Sequence, residues 1–203
     1  MKVALIGASG KAGSRILTEL IGRGHRVTGI VRNPGHLPAQ PGLAVERGDA
    51  CDAAGLAPLL AGHDAVITAT RFVSTDPRAL IDAVKASGVP RLLVVGGAGS
   101  LENASGVALA DMPDLPDFVR PEALAGRAFL ALLRAEAVLD WTFLSPSGSL
   151  APGARTGKFR LGGDRLLVDT AGHSGISMED FAIAMVDELE APRHPRRRFT
   201  VGY

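Results

Sequence analysis

The chain has 203 residues, enough to bury one good core and within the roughly 250-residue span of a single larger domain. Its 22 basic and 21 acidic residues leave a formal charge of +1, which gives no general attraction to nucleic acid or to an anionic membrane. A lone cysteine excludes an internal disulfide, the apolar run after Met1 is too brief for a signal peptide, and no run approaches the ~18 apolar residues of a spanning helix, so a cytoplasmic protein with neither nucleic-acid nor membrane partners is expected.

Along the chain, short apolar runs alternate with longer Ala/Leu-rich stretches. "VALI" from Val3 predicts a first strand, and a helix follows from about Lys11 to the termination signal of Gly22 and Gly24. "RVTGIV", "LAVERG", "DAVITAT", "RLLVV" and "WTFL" predict further strands, with helices over about 53–61, 76–87, 121–138 and 178–190 between and after them. Near-continuous Val/Ile/Leu runs of this kind suit parallel strands buried on both faces. The alternation predicts right-handed βαβ crossovers, hence a Rossmann-type doubly wound α/β sheet with helices on both faces, in a single domain spanning 1–203. Residues 146–175 differ, being rich in glycine and polar residues. They read as loops with a short hairpin around "KFRLGGDRLLV", a substrate-side elaboration.

The stretch "GASGKAG" places Gly7, Gly10 and Gly13 directly after a strand and at the start of a helix. Gly7 permits the tight turn, Gly10 lets the backbone approach a pyrophosphate, and Gly13 lets the helix pack closely on the strand. Free N–H groups of the loop and helix start, from Ser9 through Lys11 and Ala12, then face the anion. An isolated glycine turn that binds nothing is the alternative, and the surrounding βαβ unit argues against it.

Which dinucleotide binds is decided after the second strand, in "GIVRNPGH". Arg32 stands where an acid would select NAD, so NADP is preferred, although a bare Arg also suits stacking on adenine. Lys11 and Arg15 either add positive charge or are solvated helix residues. Asp49 is positioned to accept a bond from the adenine amino group, and Asp52 to cap the next helix. In "TAT" at 68–70, the small residues Ala69 and Thr70 leave room for adenosine at the carboxyl edge of the sheet.

In this order, "LIGASGKAG", "VRNP", "GDACD", "LLVVGGAGSL", "WTFLSPSG", "TGKFRLGGD" and "ISMEDFAIAMVDELE" cover nearly the whole chain. It resembles the atypical branch of the short-chain dehydrogenase/reductase superfamily, specifically the NmrA-like proteins and the NADH-flavin reductase or biliverdin-reductase-like group. That resemblance implies a nicotinamide cofactor across the strand ends, a substrate pocket built by the C-terminal third, and "GGAGS" beside the nicotinamide. Gly97 then lines the cofactor and Ser100 is the nearest hydroxyl, the catalytic candidate, unless it merely caps a turn.

The departure from the superfamily is a missing YxxxK. The only Tyr is Tyr203, and "DFVRPEALAGRA" offers Phe118, Arg120 and Arg127 at the expected place. No metal-ligand spacing joins the five histidines or Cys51, and "TFLSPSG" is not a hydrolase elbow, so Ser145 and Ser147 read as loop hydroxyls near the cofactor. "PRHPRRRF" reads as a solvated tail before a last strand. His173, Arg155, Phe72 and Phe118 either line a substrate pocket or belong to surface and packing.

Two functions follow. One is an NAD(P)H-dependent reductase passing hydride to a flavin (FMN or FAD) or similar conjugated small molecule. The other is a non-enzymatic NmrA-like redox sensor that binds the dinucleotide. A monomer or homodimer suits either.

Overall fold

A computed structural model of the chain describes all 203 residues. The chain order is β1 (Lys2–Ile6), α1 (Lys11–Gly22), β2 (Arg26–Val31), β3 (Leu43–Arg47), α2 (Ala53–Leu60), β4 (Ala65–Thr68), α3 (Pro77–Ser87), β5 (Arg91–Val95), α4 (Arg120–Ala135), β6 (Asp140–Pro146), β7 (Ser149–Ala151), β8 (Arg160–Gly162), β9 (Gly175–Ser177), α5 (Met178–Glu190) and β10 (Arg197–Gly202). Eight strands form one sheet in the order β3-β2-β1-β4-β5-β6-β10-β8, parallel throughout except for β8 at the edge. The strand order reverses at β1, which pairs with β2 on one side and β4 on the other.

Pleating sends alternate residues of each strand into two separate cores. Val3 and Leu5 join α1 and α5 in one; Ala4 and Ile6 join α2, α3 and α4 in the other. This is the doubly wound arrangement, and it explains why β4 and β5 are buried at every position and read as unbroken apolar runs. Phe129, Phe143, Phe181 and Phe199 are fully buried, each contributing on the order of 2 kcal/mol through removal from water.

The starts of α2, α3 and α5 are fixed by side-chain capping. Asp52 accepts from the Gly55 N–H at 3.0 Å, Asp76 from Arg78 and Ala79, and Ser177 from Asp180. Helix α4 stops at Ala135, short of the expected 138. The Glu136 carboxylate accepts the N–H groups of Val138 and Leu139 at 2.8 and 3.2 Å and turns the chain into β6.

Two further expectations are corrected. "KFRLGGDRLLV" forms no hairpin of its own: β8 pairs antiparallel with β10, whose outer edge would otherwise be open. "PRHPRRRF" is not a solvated tail throughout, because Arg197 begins β10, inserted between β6 and β8, and the Arg198 side chain is only 2% exposed.

Candidate functional site: a dinucleotide cleft

Gly7 leaves β1 with φ +82°, in the left-handed region, and its N–H donates to the Ile30 carbonyl at 2.9 Å. A Cβ on Gly13 would lie 2.1 Å from the Gly7 carbonyl oxygen, so the first turn of α1 rests directly on the strand-to-helix turn. At Gly10 the same oxygen is 3.2 Å from a Cβ and the Ala69 carbonyl 3.7 Å, close contact but not collision.

Helix α1 has no side-chain cap at Gly10, and the N–H groups of Lys11, Ala12 and Gly13 find no acceptor in the chain. Free donors at the positive end of a helix dipole form an anion site. Beside them a cleft of about 210 Å³ is lined by Gly7, Ser9 and Gly10, by Arg32 after β2, by Asp49 after β3, and by Ala69 and Thr70 after β4. It therefore lies at the carboxyl ends of the strands, at the point where their order reverses, which is where open α/β sheets bind ligands.

The cleft's chemistry is uneven. Arg32 is exposed and makes no ion pair within the chain. Asp49 spends one oxygen on the Cys51 N–H at 2.9 Å and keeps the other free. The Thr70 hydroxyl accepts from Thr75 at 2.8 Å and shares a hydrogen bond with Thr68 at 3.1 Å, so it is already tied into the wall. Gly48, Arg71 and Ser74 also line the wall and were not singled out from the sequence. A Cβ at Gly48 would come 2.7 Å from the Ile30 side chain, a constraint invisible until β2 and β3 are side by side.

A family model described as NAD(P)H-binding matches residues 7–192. The chain belongs to that NAD(P)H-binding family. Similarity extends along the full length. YwnB, an uncharacterized protein of Bacillus subtilis, is 41% identical over 211 residues, covering 99% of this chain and 98% of YwnB. A Bacteroides thetaiotaomicron protein provisionally named an epimerase has a TM-score of 0.95 at 43% identity, over 100% of this chain and 96% of its own. A Streptococcus pneumoniae protein provisionally named an NADH-flavin reductase has a TM-score of 0.82 at 35% identity, over 100% of this chain and 99% of its own.

For an NAD(P)H-binding chain the donor set fits the group: a glycine turn without Cβ atoms, three free N–H groups for a pyrophosphate, and an unpaired guanidinium. The cleft spans only β1 to β4. Gly97 and Ser100 lie outside it, in the turn that follows β5. A Cβ on Gly97 would be 3.2 Å from the Phe72 ring, and Ser100 ends the short helical turn that Gly97 opens. The Ser100 carbonyl accepts from Arg198 Nη2 at 3.4 Å.

Several other expected ligand-side residues are part of the scaffold. Ser145 is fully buried in β6 and donates to the Gly97 carbonyl at 2.9 Å, holding that turn from behind. Ser147, also fully buried, donates to the Leu167 carbonyl at 3.0 Å; both serines were expected as loop hydroxyls, and alternation in and just after β6 turns them inward. Arg15 pairs with Glu179 at 3.1 Å and Arg155 with Glu19 at 2.9 Å, so neither is spare. Burial would raise the Glu19 pKa, but Arg155 and Arg23 together hold it below its ordinary value. Phe72 packs on Phe129 and Phe143, with ring centroids 6.0 Å away in both cases. Phe118 is 85% exposed, and His173 points to solvent beside Asp169.

Tyr203 is more than a chain end. Its hydroxyl donates to Asp180 at 2.9 Å and bonds Ser177 at 2.9 Å. Burial would raise the Asp180 pKa, but bonds from Thr156, Gly157 and Tyr203 outweigh it and hold the carboxyl below its usual range.

Proposed function

We propose that this chain is an NAD(P)H-dependent reductase, preferring NADPH, that passes hydride to a flavin or a similarly conjugated acceptor. The N–H groups of Lys11, Ala12 and Gly13 hold the pyrophosphate, Arg32 takes the 2′-phosphate, and Asp49 faces the adenine. The turn through Gly97 and Ser100 borders the nicotinamide, which supplies hydride when bound. The name of the pneumococcal relative, an NADH-flavin reductase, supports a flavin acceptor, while the ground for NADPH over NADH is Arg32 alone.

One observation carries the choice of acceptor. Reducing an isolated carbonyl creates a strongly basic alkoxide, and epimerisation by way of a transient ketone requires a base at a hydroxyl; both need a tuned proton-transfer group within hydrogen-bond reach. The chain's only tyrosine is committed to Asp180 and Ser177, and Ser100 brings only a weakly acidic hydroxyl. A flavin or quinone spreads the incoming charge over its rings and takes its proton from water afterwards. The protein then contributes mainly proximity and orientation, which lower a barrier by on the order of 7 kcal/mol. The same lack of a tuned proton-transfer group disfavours the epimerase activity suggested by the name of the Bacteroides relative.

The test is NADPH oxidation with FMN, FAD and quinones against simple aldehydes and ketones. Turnover of the conjugated acceptors alone is expected. Turnover of carbonyls alone overturns the proposal, and tight NADPH binding without turnover of any acceptor replaces it with the sensor reading.

A further inference from the structure

The tail "PRHPRRRF" contributes to a second concave site that dinucleotide binding does not use. It measures about 500 Å³ and lies between the end of α4, the start of β6, the residues after β8 and the start of β10. Its wall carries Arg134, Arg196, Arg197 and Arg198 against a single carboxylate, Asp164, a formal charge of +3 in a chain whose total is only +1.

These guanidinium groups are under-compensated. Arg198 Nε donates to Asp164 Oδ1 at 2.7 Å, and Arg134 Nη2 reaches the same oxygen at 3.3 Å, so one carboxylate oxygen serves two arginines. Arg196 has only the Ala137 carbonyl, at 3.0 Å, and Arg197 is exposed with no partner in the chain. Beneath the wall, Arg198 Nη1 and Trp141 Nε1 are buried donors with no acceptor. Groups of that kind are normally paired, and each unpaired one calls for an explanation. Burial lowers the Arg198 pKa from its ordinary value despite Asp164, which agrees with a guanidinium short of negative charge. Arg196 is also the only residue other than glycine with positive φ, at 51°, and such strain concentrates at binding sites.

We infer that this cleft binds a small multivalent oxyanion, a phosphate or phosphate monoester, gripped by Arg134, Arg196 and Arg197 over the buried Arg198. Arginine forks match phosphate oxygens in pairs, and a dianion neutralises most of the local excess. A nucleic-acid track does not fit, because outside this concavity the formal charge of the chain sums to −2.

The experiment is calorimetric titration of the NADPH-saturated protein, which keeps the dinucleotide site filled, with inorganic phosphate, glycerol phosphate, a short single-stranded RNA and chloride at matched ionic strength. Saturable binding of one phosphate per chain is expected, with chloride silent. Tighter binding of glycerol phosphate identifies an ester as the ligand, and equal or weaker binding identifies the free ion. Arg197→Ala and Arg134→Ala, both at exposed side chains, should each weaken phosphate by about tenfold, the loss of one charge-assisted bond, while NADPH affinity stays unchanged. Phosphate no better than chloride, variants that bind phosphate like the parent, or RNA binding tighter than either phosphate would each overturn the inference.

Discussion

The two halves of the sheet's carboxyl edge treat their polar groups in opposite ways. From β1 to β4 the edge keeps donors free: Lys11, Ala12 and Gly13 have unpaired N–H groups, and Arg32 has no carboxylate. From β6 to β10 the polar groups use one another. Ser145 holds Gly97, Ser147 holds Leu167, and Asp180 collects Thr156, Gly157 and Tyr203. A hydrogen bond made within the protein contributes only about 1 kcal/mol net, yet it removes a group from recognition. The first half is therefore built to receive a ligand, and the second to hold the wall beside it in shape.

The contrast breaks most sharply at Gly10. Gly10→Val should weaken dinucleotide binding by at least about 3 kcal/mol, roughly a hundredfold in affinity, while circular dichroism shows a folded protein. The Cβ would lie 3.2 Å from the Gly7 carbonyl oxygen, so the turn must give by a few tenths of an ångström to accept it, and the added methyl groups occupy the pyrophosphate's space. Normal binding by this variant would reduce the loop to a structural turn.

Arg32→Asp comes next. It should reverse the order of NADP(H) and NAD(H) affinities measured by calorimetry, with NADPH weakened by about thirtyfold, because it removes a phosphate partner and adds a repelling charge. Equal affinities in the unmutated chain would count against the preference.

On the other half, Asp180→Asn should cost stability and leave dinucleotide affinity in place. Its carboxylate accepts four bonds, and an amide nitrogen would face one of those donors, so about 2 kcal/mol is expected at neutral pH in thermal or urea unfolding. The folded-state pKa of Asp180 lies below the unfolded value of about 3.9, so its contribution is fully present above that pH and is lost as pH falls through the folded value. The gap between parent and variant should close below about pH 4. A constant gap across that range would show that the carboxylate's charge is not what the network uses.

The smallest effect is expected at Ser100. Ser100→Ala should slow NADPH oxidation by only a few-fold, as for loss of one assisting hydrogen bond near the reacting ring. A drop of about a thousandfold would make its hydroxyl a proton donor in its own right and reopen carbonyl chemistry.

The strand runs, the start of α2 and the glycine turn were legible in the sequence, because each is set by neighbours in the chain: unbroken Val/Ile/Leu stretches, Asp52 as a cap, three glycines at a strand-to-helix turn. Arg32 was legible for the same reason, since its place follows directly from the end of β2. What the sequence did not show is how groups far apart share hydrogen bonds. Packing alone decided that β10 enters the sheet between β6 and β8, which buries Arg198, brings four arginines to one cleft and brings Tyr203 to Asp180. Strand insertion of this kind rests on pairing across more than fifty residues, and no local period encodes it. The roles of Ser145, Ser147 and Arg155 were decided in the same way, by which partner the fold brings within 3 Å.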